Sequence, residues 1–149
     1  MKKHEIKWKT YGSKKFIPYI IKDDFIFLAV GMAEFIILEA MNVSYILLQS
    51  DGMFHHISDD IIAKAQGRNI IILNERDSSF GNLILKLQGI FVNSNIFLID
   101  FEEILNRSLK KGYDFRDFCN EIGNIVEVEI LLEEQIIKQV KEYFQLTYH

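Results

Sequence analysis

The apolar residues of this chain are gathered into short runs, and that grain limits what it can build. Residues 25–32 read F-I-F-L-A-V-G-M and residues 70–73 read I-I-I-L, and these are among the longest. A membrane-spanning helix needs about 20 predominantly apolar residues in a row, so none of these runs is expected to cross a bilayer. Runs of this size suit strands and single helix faces that meet in one core. The hydrophobic share of 49% supplies that core, and the charged share of 26% is ordinary for a folded soluble protein. At 149 residues the chain is expected to form a single domain over residues 1–149, with residues 1–14 a basic, partly ordered segment.

The charge is unevenly placed. Residues 1–22 hold seven lysines against Glu5 alone, while the other 127 residues hold 10 basic and 20 acidic side chains. A basic start is thus joined to an acidic body, and the net charge of -4 hides both. An acidic body repels phosphate backbones, which disfavours a nucleic-acid partner, and it steers a basic protein toward itself. The start, M-K-K-H-E-I-K-W-K, has no apolar segment behind it and does not read as a secretory signal. One cysteine, Cys119, excludes an internal disulfide framework. The expected compartment is the reducing cytoplasm. Frequent isoleucine, lysine, asparagine and phenylalanine, with scarce alanine and proline, follow A- and T-rich codons of the kind common in microbial genes.

The first half reads mainly as strand. Residues 15–22 and 25–30 flank Asp23 and Asp24, which suggests a hairpin with Pro18 at a sheet edge. Residues 45–49 read as a strand, Ser50, Asp51 and Gly52 as a turn, and residues 53–57 as the partner strand. Residues 33–41, A-E-F-I-I-L-E-A-M, fit a buried strand and a short helix equally. Ser58, Asp59 and Asp60 open a helix that Gly67 closes. Residues 70–74 and 95–100 are strands, and between them Phe80, Leu83, Ile84 and Leu87 form a helix stripe ending near Gly89.

Asp100 and Glu103 have the spacing of a capping box, ahead of a helix carrying Phe101, Ile104, Leu105 and Leu109 to Lys110 and Lys111. Asp114 opens a helix with Phe115, Phe118, Cys119 and Ile122 in register, closed by Gly123. Residues 125–130, I-V-E-V-E-I, alternate like a strand, with Val126, Val128 and Ile130 opposite Glu127 and Glu129. A last helix runs from about Leu131 to Leu146, with Leu132, Ile136, Val140, Tyr143 and Phe144 as its stripe and Glu134 paired with Lys138. The pattern predicts an α+β domain, a mixed, largely antiparallel sheet with helices packed on one side.

Chemically capable side chains are densest in D-G-M-F-H-H-I-S-D-D, residues 51–60. On a strand, His55 and His56 point to opposite faces and cannot readily share a metal ion, as H-x-H or a helical H-x-x-x-H would. Asp51 suits the turn, and Asp59 and Asp60 suit the helix start. The run therefore reads as the ends of two elements, with His55 and His56 only weak candidates for a metal or acid–base role. Cys119 sits on a buried stripe and reads as a small core hydrophobe. Asp100, Glu102 and Glu103 could hold magnesium, but helix capping explains Asp100 and Glu103 more simply. No phosphate-loop, dinucleotide, nucleophile-elbow or zinc-peptidase motif occurs. No catalytic residue and no cofactor is expected.

The acidic surface is the stronger candidate. Glu127 and Glu129 are followed by Glu133 and Glu134, and Asp114, Asp117 and Glu121 come shortly before, with Tyr113, Phe115 and Tyr143 near enough to act as anchors. A solvated face that keeps the protein soluble accounts for such a cluster on general grounds. The functional reading is an interface for a basic protein. On that reading the chain is a small acidic binding protein that neutralises its partner, as an immunity protein occludes the active site of a bacterial toxin. The alternatives are an enzyme with a dispersed histidine and carboxylate site, and a ligand-sensing regulatory subunit.

Overall fold

The computed structural model describes residues 17–48, 55–73 and 80–148. Among them are five strands and six helices. In chain order these are β1 (Tyr19–Ile20), β2 (Phe25–Val30), α1 (Met32–Met41), β3 (Ser44–Leu48), α2 (Asp59–Ala65) and β4 (Asn69–Ile72). There follow α3 (Phe80–Ile90), β5 (Asn95–Leu98), α4 (Phe101–Leu105), α5 (Phe115–Ile122) and α6 (Ile125–Tyr148). The strands form one mixed sheet in the order β1-β3-β2-β4-β5.

The domain is α+β with a mixed sheet, as expected, but two details of that expectation change. The sheet is not largely antiparallel: only β1 with β3 is, while β3, β2, β4 and β5 run parallel. Helices cover both faces, not one. Ile26, Leu28, Ile46, Leu48, Ile70 and Ile72 pack beneath α2 and α3 with Ile61, Leu83, Leu87 and Phe91. Phe27, Ala29, Tyr45, Leu47 and Ile71 face the other way, onto Leu38 of α1, Phe101 of α4, Phe115 and Phe118 of α5 and Leu132 of α6. A strand buried on both faces needs apolar residues at every position, and that is why these strands read as unbroken runs.

Parallel neighbours need crossovers, so neither expected hairpin forms. β1 lies at the sheet edge, consistent with Pro18, but it pairs with β3 instead of β2. The chain then passes over the start of β3 to reach β2. There the buried Ser44 hydroxyl accepts the backbone N–H groups of Lys22 and Asp23, each at 2.9 Å, and so holds the crossing down. β3 takes β2 and β1 as partners, and the described part of residues 53–57 is no strand: His55 and His56 lie in a 3₁₀ turn. The turn expected at Ser50, Asp51 and Gly52 and the segment 1–14 lie outside the described residues.

Helix signals within a turn or two of sequence fare well. Ser58 caps α2 through Ile61 N–H at 3.3 Å, and Gly67 follows in the left-handed region at φ 78°. The ambiguous residues 33–41 are helical, within α1. Two helix boundaries move. α4 stops at Leu105, because Asn106 turns left-handed (φ 54°) and the Glu102 carboxylate takes Leu109 N–H at 2.8 Å, so Lys110 and Lys111 lie beyond it. Residues 125–130 are not a strand but the first turns of α6, which Asn124 caps by accepting Val126 N–H at 2.9 Å.

Candidate functional site

The carboxylates around α5 are largely engaged in building it. Asp114 and Asp117 form a reciprocal capping box: Asp114 accepts Asp117 N–H at 2.9 Å and Asp117 accepts Asp114 N–H at 3.0 Å. The Asp114 backbone N–H holds the Asp117 carboxyl below its usual range. Glu121 accepts from Arg107 and, at 3.1 Å, from the Tyr113 hydroxyl. Arg107 in turn lowers the Glu121 pKa. Burial, helped by Glu121, pushes the Tyr113 phenol up to about 12. Its ring packs edge-on to Phe101 at 6.2 Å. Of the sequence-derived set, Asp114, Asp117, Glu121 and Tyr113 are therefore committed to the α4–α5 junction.

On a strand Glu127 and Glu129 would share one face, but they lie on α6. At 3.6 residues per turn they diverge instead. Val128, Leu132 and Ile136 point into the core, and Gln135 beside them is buried. Its amide acts as a surrogate backbone: the oxygen accepts Asp100 N–H at 2.6 Å and the nitrogen donates to Asp100 C=O at 3.0 Å. Gln139 donates to Leu98 C=O. These amides pin α6 to the end of edge strand β5. Lys138 pairs with Glu103 of α4, not with Glu134 as expected.

The outer side of α6 is different. Val126, Ile130 and Ile137 are 62%, 49% and 46% exposed. Their spacing of four and then seven residues lines them up along one side of the helix, over about 17 Å at 1.5 Å per residue. Glu127 and Glu134 border this stripe on one side, Glu129 and Glu133 on the other. Glu127, Glu133 and Glu134 are exposed and Glu129 is half-buried. Among the described residues the ion pairs are Lys64 with Asp60, Arg107 with Glu121 and Lys138 with Glu103, so none of these four glutamates is neutralised that way. The structure thus keeps Glu127, Glu133 and Glu134 of the predicted acidic set as an open surface, with Glu129 half-buried beside them. It adds an apolar seam that the strand assignment had concealed.

The remaining candidates are separate from this surface. His55 and His56 are exposed ahead of α2. Asp60 accepts from Tyr19 at 2.6 Å and pairs with Lys64. Asp100 caps α4 through Glu102 N–H at 3.1 Å, and Glu103 pairs with Lys138. Among the described residues no group of three or more histidine, cysteine, aspartate or glutamate side chains is arranged to hold a metal ion. Burial pushes the Cys119 thiol up to about 12, with Asp114 and Glu34 adding to the effect, which leaves it a poor nucleophile.

One polar group was not anticipated. The helices after β2 and β4 leave on opposite faces of the sheet, and in open parallel sheets the crevice at such a reversal commonly takes ligands. Here it begins at Gly31, which leads into α1 at φ 113° and donates its N–H to Leu48 C=O at 3.0 Å. The Glu34 carboxylate folds back over Gly31, half-buried, and burial raises its pKa. A carboxylate of the chain itself thus stands where an anion would approach the helix N-terminus. A glutamate in a first helical turn, three residues after glycine, is the only trace of this in the sequence. A recess of about 40 Å³ lined by Ile62, Gln66, Phe91, Val92, Asn93 and Ser94 admits water but not a metabolite.

Compared with known proteins, the chain matches no family model, no curated protein and no solved structure. Fold and surface together define an α+β domain with an open, acidic-bordered face on its C-terminal helix. No helix among the described residues is long and apolar enough to cross a membrane.

Proposed function

We propose that this protein binds a basic protein partner and neutralises it by covering its functional surface, as immunity proteins do with bacterial toxins. The observation that carries this reading is the set of carboxylates on α6, Glu127, Glu133 and Glu134, which are exposed and outside the ion pairs among described residues. The surrounding body supports it, with 20 acidic against 10 basic side chains after residue 22. Such a surface raises the on-rate of a basic partner and repels acidic ones. Mechanistically the effect is occlusion, and nothing in it requires a catalytic group.

The test compares the wild-type protein with a variant carrying Glu127→Lys, Glu133→Lys and Glu134→Lys, used to capture partners from the source cells at low and high salt. The expected result is a stoichiometric basic protein held by the wild type, released as salt rises, and lost on the variant. Its own activity should fall when wild-type protein is added back. On-rates should drop about tenfold or more in the variant, in the range that electrostatic steering supplies. Recovery of no basic protein, or equal recovery by both forms, overturns the proposal.

A further inference from the structure

We infer that the outer face of α6 receives an amphipathic helix whose apolar seam is bordered by lysine or arginine, laid along Val126, Ile130 and Ile137. This rests on the basic-partner reading and names the shape of the partner. α6 has 24 residues and is the longest element, and its opposite side is fixed by Val128, Leu132, Gln135 and Ile136. The outer face is therefore presented on a rigid support. Exposed aliphatic residues scattered singly need no explanation, but here they share one stripe at the spacing used by helix-in-groove recognition.

Charge selects the occupant. Carboxylates stand on both sides of the seam, as at the flanking positions of a helix pair that choose a partner of opposite sign. A second copy of this face laid in parallel would set glutamates against glutamates. An anionic lipid surface and a nucleic-acid backbone would meet the same repulsion. A helix with an apolar seam and basic flanks satisfies the whole face at once.

The probe is a synthetic helical peptide with leucine along a heptad seam and lysine at the flanking positions. Two controls accompany it: one with glutamate flanks, and one with the lysines kept but the seam replaced by serine. Binding to the full chain is read by fluorescence anisotropy at low and moderate salt. The lysine-flanked seam peptide should bind, and the other two should bind at least tenfold more weakly. The double variant Ile130→Ser, Ile137→Ser should lose at least tenfold in affinity with an unchanged melting temperature. Leu85→Ser, which alters a more exposed aliphatic (67%) on α3, should lose nothing. Equal binding of the seamless lysine peptide, or indifference to the double variant, overturns this inference while leaving a charge-driven partner intact. Failure of all three peptides also overturns it and leaves the function to the capture experiment. A dimer of the chain that dissociates in the double variant would replace the proposed occupant with a second copy.

Discussion

At the scale of single residues, Gly31 and Gln135 carry more of the fold than their neighbours. Gly31 has φ 113° and ψ 156°, a region that only glycine occupies comfortably, and an added Cβ would stand 2.7 Å from a Glu34 oxygen. Gly31→Ala should therefore cost about 1–3 kcal/mol in urea unfolding. Removing the carboxylate does not remove the backbone strain, so Gly31→Ala should remain destabilising when introduced into Glu34→Ala. Equal stability of those two forms would assign the whole effect to the side-chain clash. Gln135→Leu removes the side-chain acceptor from Asp100 N–H, at a cost of about 1–3 kcal/mol, while Asp100 C=O keeps Ile104 N–H at 3.1 Å. Hydrogen exchange at the Asp100 amide should quicken in that variant. An unchanged exchange rate would show that water replaces the glutamine. Neither role was visible in the sequence, since Gln135 meets its partner across 35 positions.

At the scale of elements, a helix cap is legible in residues one turn apart, whereas alternation does not decide a strand. The α5 cap needs only residues three apart, Asp114 and Asp117, and a glycine at its end, Gly123 at φ 77°. Asp114→Ala should cost about 1 kcal/mol of stability at neutral pH, measured by chemical denaturation. The pH dependence follows from Asp117, whose folded pKa lies below its unfolded value. Its contribution is present above the unfolded pKa and is lost as pH falls through the folded one. The gap between wild type and Asp117→Ala should therefore narrow in acid, below the ordinary carboxylate range. A gap that stays constant would remove Asp117 from the box. Residues 125–130 show the opposite case. I-V-E-V-E-I has the period and the β-branched residues of a strand, yet of its apolar side chains only Val128 is buried in the core. Asn124 starts a helix there, and the inward register of Val128, Leu132 and Ile136 sustains it. Tertiary packing overrode local propensity, and that reversal turned a supposed core face into an exposed seam.

At the scale of the whole molecule, the question is which face each residue meets. The unbroken runs F-I-F-L-A-V, Y-I-L-L and I-I-I-L signal burial on both faces, and hence a parallel sheet between two helical layers. Turn-forming residues at Asp23 and Asp24 and at Asp51 and Gly52 suggest hairpins instead. Charge belongs to this scale too, because the acidic surplus acts as a field before any contact forms. The triple lysine variant alters exposed positions only, so it should keep the wild-type melting temperature while changing association. Loss of stability in that variant would mark those glutamates as structural.

The sequence was sufficient for what depends on neighbours along the chain: the caps at Ser58, Asp100 and Asp114, the left-handed Gly67 and Gly123, the coarse α+β content and the acidic balance of the body. Each of these is settled by hydrogen bonds within one helical turn or by simple counting. Strand order, the passage of residues 22 and 23 over Ser44, the anchoring of α6 by Gln135 and the exposure of Val126, Ile130 and Ile137 required the folded molecule. These depend on which of several equally apolar surfaces come together across tens of residues. That choice is made by the packing of the whole core, and no local pattern encodes it.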